Sequence, residues 1–120
     1  MSFKDLLRDL VKSVEGVEGA VFLDEDGEAV DYYSENDSER LKLRSACVAP
    51  VMKTARAVAR AIASDNLSRL VMNYDGAILI IEELELGYFL MLELQASASV
   101  GEAVYRMKPI ASKLRSEIAG

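Results

Sequence analysis

The sequence predicts a small α/β fold with the order helix, strand, strand, helix, strand, strand, strand, helix (αββαβββα), in which a five-stranded antiparallel sheet has helices on both faces. Three observations carry that expectation. Three segments repeat apolar residues at the spacing of an amphipathic helix. The stretches between them read as strands joined by tight glycine-containing turns, the pattern of an antiparallel sheet. Two of the strands, near 77–83 and 88–94, are apolar on both faces, so they belong inside a sheet covered on both sides. The 120 residues suit one domain over 1–120. A chain of that length buries about 65% of the surface its unfolded form exposes, enough for a core without staples.

The first helix is "SFKDLLRDLVKSVE", with apolar Phe3, Leu6, Leu7, Leu10, Val11 and Val14 on one stripe. Ser2 is its expected N-cap and Gly16 its stop. "EGAVFLDEDGEAVDYYS" gives two strands, about 18–24 and 28–34, around the turn "DEDG", where Gly27 accepts positive φ. Asn36, with Glu39 three residues on, is the expected capping box of the second helix. Its expected inward stripe is Leu41, Val48, Val51, Met52, Ala55, Val58, Ala59 and Ile62, with Asp65-Asn66 as its end. "LSRLVMNYDGAILIIEELELGYFLMLELQ" holds three strands, separated by "YDG" and "ELELG". In the last helix Ser99 and Glu102 make a capping box, and Val100, Ala103, Val104, Met107, Ala111, Leu114 and Ile118 form the apolar stripe. Pro109 falls on the exposed side, where the hydrogen bond it removes passes to water.

Composition narrows the function. The chain is 51% hydrophobic and 28% charged, as folded proteins are. One cysteine rules out an internal disulfide. Charged residues punctuate the first helix, unlike a signal peptide, and the longest apolar runs fall far short of the ~20 residues of a membrane helix. A cytoplasmic protein without membrane association is expected. The net charge of −6 argues against nucleic acid. There is no histidine, the commonest general base and metal ligand near neutrality. Cys47, among apolar and small residues, reads as a buried, inert thiol. "DEDG" lacks the other ligands of a calcium loop, Glu82 and Glu83 alternate across a strand, and no phosphate-loop spacing occurs. A non-enzymatic protein without cofactor or metal is the expectation.

The unusual stretch is "SACVAPVMKTARAVARAIAS", residues 45–64, with seven alanines, three basic residues, no acid and Pro50 in mid-run. From Arg40 to Ser64 six bases and no acid give +6, which leaves −12 for the rest of the chain. Leu43, Ala46, Cys47, Pro50, Thr54, Ala57 and Ala61 line one side. Their small size suits close packing against a second copy of the helix, although alanine is also simply a good helix former. A helical Pro50 loses the bond to Ala46 and kinks the helix; a break into two helices near Ala49 is the other reading. Lys53, Arg56 and Arg60, at i, i+3 and i+7, form one exposed ridge. It is either a solvated face or an electrostatic docking surface for an acidic partner, doubled in a twofold dimer. The apolar strand at Leu70, Val71 and Met72 would invite aggregation as an unpaired edge, and is the expected second part of a dimer interface.

The pieces "LLRDLVKSVEGVEGAVFLDEDGEAV", "SACVAPVMKTARAVARAIA", "AILIIEELELGYFLMLEL" and "SVGEAVYRMKPIASKL", in this order, resemble the Roadblock family of dynein light-chain-like proteins. Most specific are "GVEGAVFLDEDGEAV" and "GYFLMLELQASASVG". The resemblance spans essentially the whole chain. It implies a profilin-like α/β architecture and a homodimer or heterodimer in which the third strands pair into one sheet and the second helices meet across the axis. It also implies a regulator or scaffold of a small Ras-like GTPase, which in a bacterial branch accelerates hydrolysis by reshaping the partner's own site. Almost no terminal extension, and Pro50 within the interfacial helix, depart from that branch. The rival readings are a dimeric interaction module of a signalling or motility complex with a non-GTPase partner, and a small-molecule sensor, for which a polar-lined cavity would be needed.

Overall fold

The computed structural model describes residues 2–63 and 67–120. Its elements are α1 (Phe3–Ser13), β1 (Val17–Leu23), β2 (Ala29–Ser34), α2 (Ser38–Ala63), β3 (Arg69–Tyr74), β4 (Ala77–Glu83), β5 (Phe89–Gln95) and α3 (Val100–Ala119), the predicted order. The five strands form one sheet, β2-β1-β5-β4-β3, antiparallel throughout. The two strands that read as apolar on both faces, β4 and β5, are interior, and β2 and β3 are the edges.

Strand alternation sends successive side chains to two different cores. Ile78 and Ile80, Leu90, Leu92 and Leu94, and Ala20 and Phe22 pack under α1 and α3, which contribute Leu7, Leu10, Met107, Ala111 and Leu114. Leu79 and Ile81, Phe89 and Met91, and Val21 and Leu23 pack under α2, which contributes Leu41, Val48, Ala49 and Met52. Two helices thus cover one face and a single helix the other.

The caps follow the chemistry of unpaired N–H groups at helix starts. The Ser2 hydroxyl accepts from the Asp5 N–H at 3.1 Å, and the Asp5 carboxylate accepts from the Ser2 N–H at 3.3 Å. Ser99 likewise accepts from the Glu102 N–H at 3.1 Å. The second helix departs from expectation by one residue. Asp37, not Asn36, caps it, accepting from the Arg40 N–H at 3.1 Å, while the Asn36 N–H donates to Ser34 Oγ. The expected stop at Asp65-Asn66 lies outside the described residues.

α2 runs unbroken through Pro50, so the reading of two helices does not hold. Pro50 is exposed, and the Ala46 carbonyl it leaves without a helical partner lies on the outer side. Pro109 is exposed within a continuous α3, as expected.

Candidate functional site: the outer face of the second helix and the open sheet edge

The inward stripe of α2 is narrower than its sequence suggested. Leu41, Ser45, Val48, Ala49 and Met52 are buried, but Val51, Val58 and Ile62 are not. These three are 36%, 50% and 80% exposed, which corrects their expected place in the core. At 100° per residue they sit on a flank of the helix, rotated away from the line through 41, 45, 48 and 52. They adjoin Leu43, Ala46, Cys47, Pro50, Thr54, Ala57 and Ala61, which lie on the outer side. The small-residue side is therefore part of a wider apolar sector that nothing among the described residues covers. Cys47 is exposed within it, not buried as its neighbours suggested; Val48 and Ala49 turn inward, while Ala46, Pro50 and Val51 are exposed with it.

The flank carrying Val51, Val58 and Ile62 points toward β3. Arg44 is one and two heptads ahead of Val51 and Val58 on the same flank, and its guanidinium lies 5.6 Å from the Tyr74 ring at the end of β3. Leu70 and Met72 of β3 pack against the α2 core, while Val71 is 41% exposed.

The backbone of β3 can be oriented from one bond. The Glu83 N–H donates to the Ser68 carbonyl at 2.9 Å, and the register continues as Leu70 opposite Ile81 and Met72 opposite Leu79. Hydrogen-bonded pairs alternate in an antiparallel ladder, so the N–H and C=O groups of Arg69, Val71 and Asn73 point away from β4. No side chain bonds these groups among the described residues. Leu70 and Met72 thus lie on the sheet face that α2 covers, while Val71, opposite Ile80 of the other core, points to the opposite face; the outward backbone of β3 and the exposed flank of α2 lie on one side of the molecule.

The basic segment is mostly consumed inside the chain. Arg56 Nε lies 2.9 and 3.0 Å from the two Glu83 carboxylate oxygens, and its terminal nitrogen donates to the Gly87 carbonyl at 3.0 Å. Its side chain is 19% exposed. The expected three-residue ridge therefore loses Arg56, whose long side chain reaches over the sheet to a carboxylate on β4. Lys53 and Arg60 are exposed. Arg40 pairs with Glu18 at 3.2 Å and Glu93 at 3.3 Å, and Arg44 pairs with Glu93. Glu93 holds the Arg44 guanidinium above its ordinary value.

Glu93 is buried at the centre of the sheet on its α2 face, within a strand that read as wholly apolar. A buried carboxylate needs paired charge, and the spacing of Arg40 and Arg44 at i, i+4 was the available signal. With Arg56–Glu83, this cluster pins both halves of α2 to the sheet. Leu86 is a second residue the sequence reading passed over. It is 72% exposed with φ of 55°, beside Gly87 at the β4–β5 turn.

A recess of about 710 Å³ opens beside that turn, lined by Arg56, Arg60, Arg69 and Arg115 with Glu82 and Glu83. Arg69 and Arg115 pair with Glu82 at 2.7 and 3.8 Å, so its charges are largely matched. Glu82 and Glu83 face opposite sides of the sheet, as alternation requires. Among the described residues no cluster of histidine, cysteine, aspartate or glutamate could hold a metal ion, and no helix is long and apolar enough to cross a membrane.

The Roadblock/LC7 domain model matches residues 3–93, and the chain belongs to that family. The family is a non-catalytic scaffold and regulatory fold. None of the curated proteins matches. Among solved structures, a Roadblock/LC7 domain from Streptomyces avermitilis is 18% identical with a TM-score of 0.88, covering 98% of each chain. The gliding protein MglB from Thermus thermophilus is 16% identical with a TM-score of 0.83, over 93% of this chain and 84% of that one. MglC from Myxococcus xanthus is 24% identical with a TM-score of 0.71, over 98% and 99%.

Proposed function

We propose that this chain acts as a symmetric homodimer and serves as a non-enzymatic regulator or scaffold of a small Ras-like GTPase. The observation that carries the dimer is the continuity of the exposed α2 sector with the open β3 edge. A twofold axis at Val71 would set Arg69 opposite the partner's Asn73 and Val71 opposite its own copy. Six backbone hydrogen bonds would form from groups that no side chain among the described residues bonds. The same operation would bring the β3-facing flank of α2, Val51, Val58 and Ile62 with Cys47 and Thr54 beside it, toward its copy, with the small residues beyond at the margin of that contact. Burial of the apolar sector would contribute roughly 25 cal/mol per Å² of area removed from water, before the cost of association.

The GTPase reading rests on family membership. Lys53 and Arg60, doubled by the axis, would present basic charge to an acidic partner surface and steer its approach. Titrating the protein against a Ras-like GTPase of the same organism, loaded with GDP or with a GTP analogue, tests the reading. Saturable binding that weakens on Arg60→Glu and falls with added salt is the expected result. No binding in either nucleotide state would reject the GTPase as partner and leave the dimer to be judged by mass. Hydrolysis by the GTPase, followed with and without this protein, decides between regulator and scaffold.

A further inference from the structure

The second sheet edge, β2, differs from β3 in how its outward groups are satisfied. The Glu35 N–H donates to the Glu18 carbonyl at 2.8 Å, and the register continues as Ala20 opposite Tyr33 and Phe22 opposite Asp31. By the alternation of the antiparallel ladder, Tyr32 and Ser34 turn their N–H and C=O groups outward. Both outward groups of Tyr32 are occupied. Its N–H donates to Asp31 Oδ1 at 2.8 Å, and its carbonyl accepts from Lys4 Nζ, which reaches over from the first turn of α1. Lys4 and Asp31 also pair with each other at 3.1 Å. The ammonium groups of Lys4 and Lys42 each lie 4.4 Å from the Tyr32 ring centre. One residue further back the ladder slips between Phe22 and Leu23, so that Val30 is an extra residue, 45% exposed. Edge lysines and bulges both keep sheet edges from pairing.

We infer that Lys4 and Asp31 guard the β2 edge, holding the assembly at two chains, and that their removal opens this edge to a further copy of the same chain. The occupant follows from geometry. A chain with two open edges on one sheet has two strands to offer; pairing β3 with β3 and β2 with β2 closes nothing and adds copies without limit. An incoming strand must displace the ammonium from the Tyr32 carbonyl, separate it from Asp31, and bury the bulge at Val30. With the guard intact the edge accepts no such strand. The inference rests on the proposed use of β3 for dimerisation, and the experiment separates the two.

Sedimentation velocity at micromolar to hundred-micromolar concentration, in ~0.15 M salt, is run on four proteins: the wild type, Lys4→Ala with Asp31→Ala, Val71→Pro, and all three substitutions together. The expected masses are two chains, an even-numbered series above two that grows with concentration, a mass that falls from two chains toward one on dilution within this range, and a concentration-dependent mass carried mainly by β2. If the doubly substituted protein stays at two chains while the wild type is two and Val71→Pro dissociates on dilution, the guard is overturned and the β3 reading stands. If the wild type is one chain, the β3 reading fails. The guard then stands if the unguarded protein gains one association step, and falls if it does not. Lys4→Met, which keeps the stem against Tyr32 and removes only the ammonium, provides the second variant. It melts like the wild type and shows the same growth if the ammonium is the barrier, and stays at two chains if it is not.

Discussion

The two edges of this sheet have the same length and opposite treatment. β2 carries an inserted residue at Val30, and Asp31 and Lys4 occupy the outward groups of Tyr32. β3 pairs with β4 in an unbroken register of six residues, has apolar Leu70, Val71 and Met72 at its centre, and lies beside an exposed apolar flank of α2. An unguarded, flat, apolar edge is an aggregation hazard, and one protected edge in the same sheet shows that the means of protecting the other were available. Under the proposed dimer, β3 is the edge kept for pairing.

Proline should separate the two edges with the largest effect. Val71→Pro removes an N–H that faces away from β4, so the fold tolerates it as an edge position does, while the cross-axis pair at Val71 loses two hydrogen bonds. At about 0.5–1.5 kcal/mol each, the dimer should weaken on the order of 10- to 100-fold. Ser34→Pro, at an outward position of β2, should leave the dimer unchanged. Equal effects in sedimentation equilibrium would erase the distinction between the edges.

Next in size is the helix that flanks the open edge. Val58→Trp, on the flank facing β3, overfills a close contact and should cost ~1–3 kcal/mol of association, whereas Lys53→Trp, on the opposite flank, should be tolerated. Gel filtration across a dilution series reads both. Within α2 the inner and outer bases should also part. Arg56→Glu breaks the bidentate pair with Glu83 and faces it with like charge, so the melting midpoint should fall by the equivalent of ~1–3 kcal/mol. Arg60→Glu, at an exposed position, should change stability by ~0–1 kcal/mol.

At the guarded edge the dimer constant should not move at all. Ser2→Ala removes the cap of the turn that carries Lys4, and should cost about 1 kcal/mol of stability without altering the dimer constant. The Ser2 hydroxyl and then its N–H hold the Asp5 carboxyl below its ordinary value. Stability from this contact is therefore present above the ordinary carboxylate range and is lost as pH falls through the lowered value. The pH dependence of melting should flatten in that acid window in Ser2→Ala.

Most of the fold was legible because period and turn chemistry are local. Leu6, Leu7, Leu10 and Val11 mark a helix on any background, and "DEDG" and "ELELG" mark turns. The cap of α2 was missed by one residue, since Asn36 and Asp37 offer the same chemistry and only the chain's exit from β2 chooses between them. The site was half legible. Small residues at Ala46, Ala57 and Ala61 gave the outer side of α2, but Val51, Val58 and Ile62 look like core to any pattern that does not know how wide the sheet-facing stripe is. Arg56 looked like part of a surface ridge because its partner Glu83 is distant in sequence. The guard at Lys4, Asp31 and Tyr32 was invisible for the same reason: it joins a helix start to a strand edge through a backbone carbonyl, which no side-chain pattern records.

Amide hydrogen exchange at Arg69, Val71 and Asn73 asks, atom by atom, whether β3 is the edge on which two copies meet. These N–H groups point away from β4, so a lone chain leaves them open to water. Slow exchange at all three is expected at high concentration, with protection lost together on dilution as the mass falls from two chains to one. Fast exchange at Val71 in a protein whose mass is twice that of the chain would place the contact elsewhere and contradict pairing through β3.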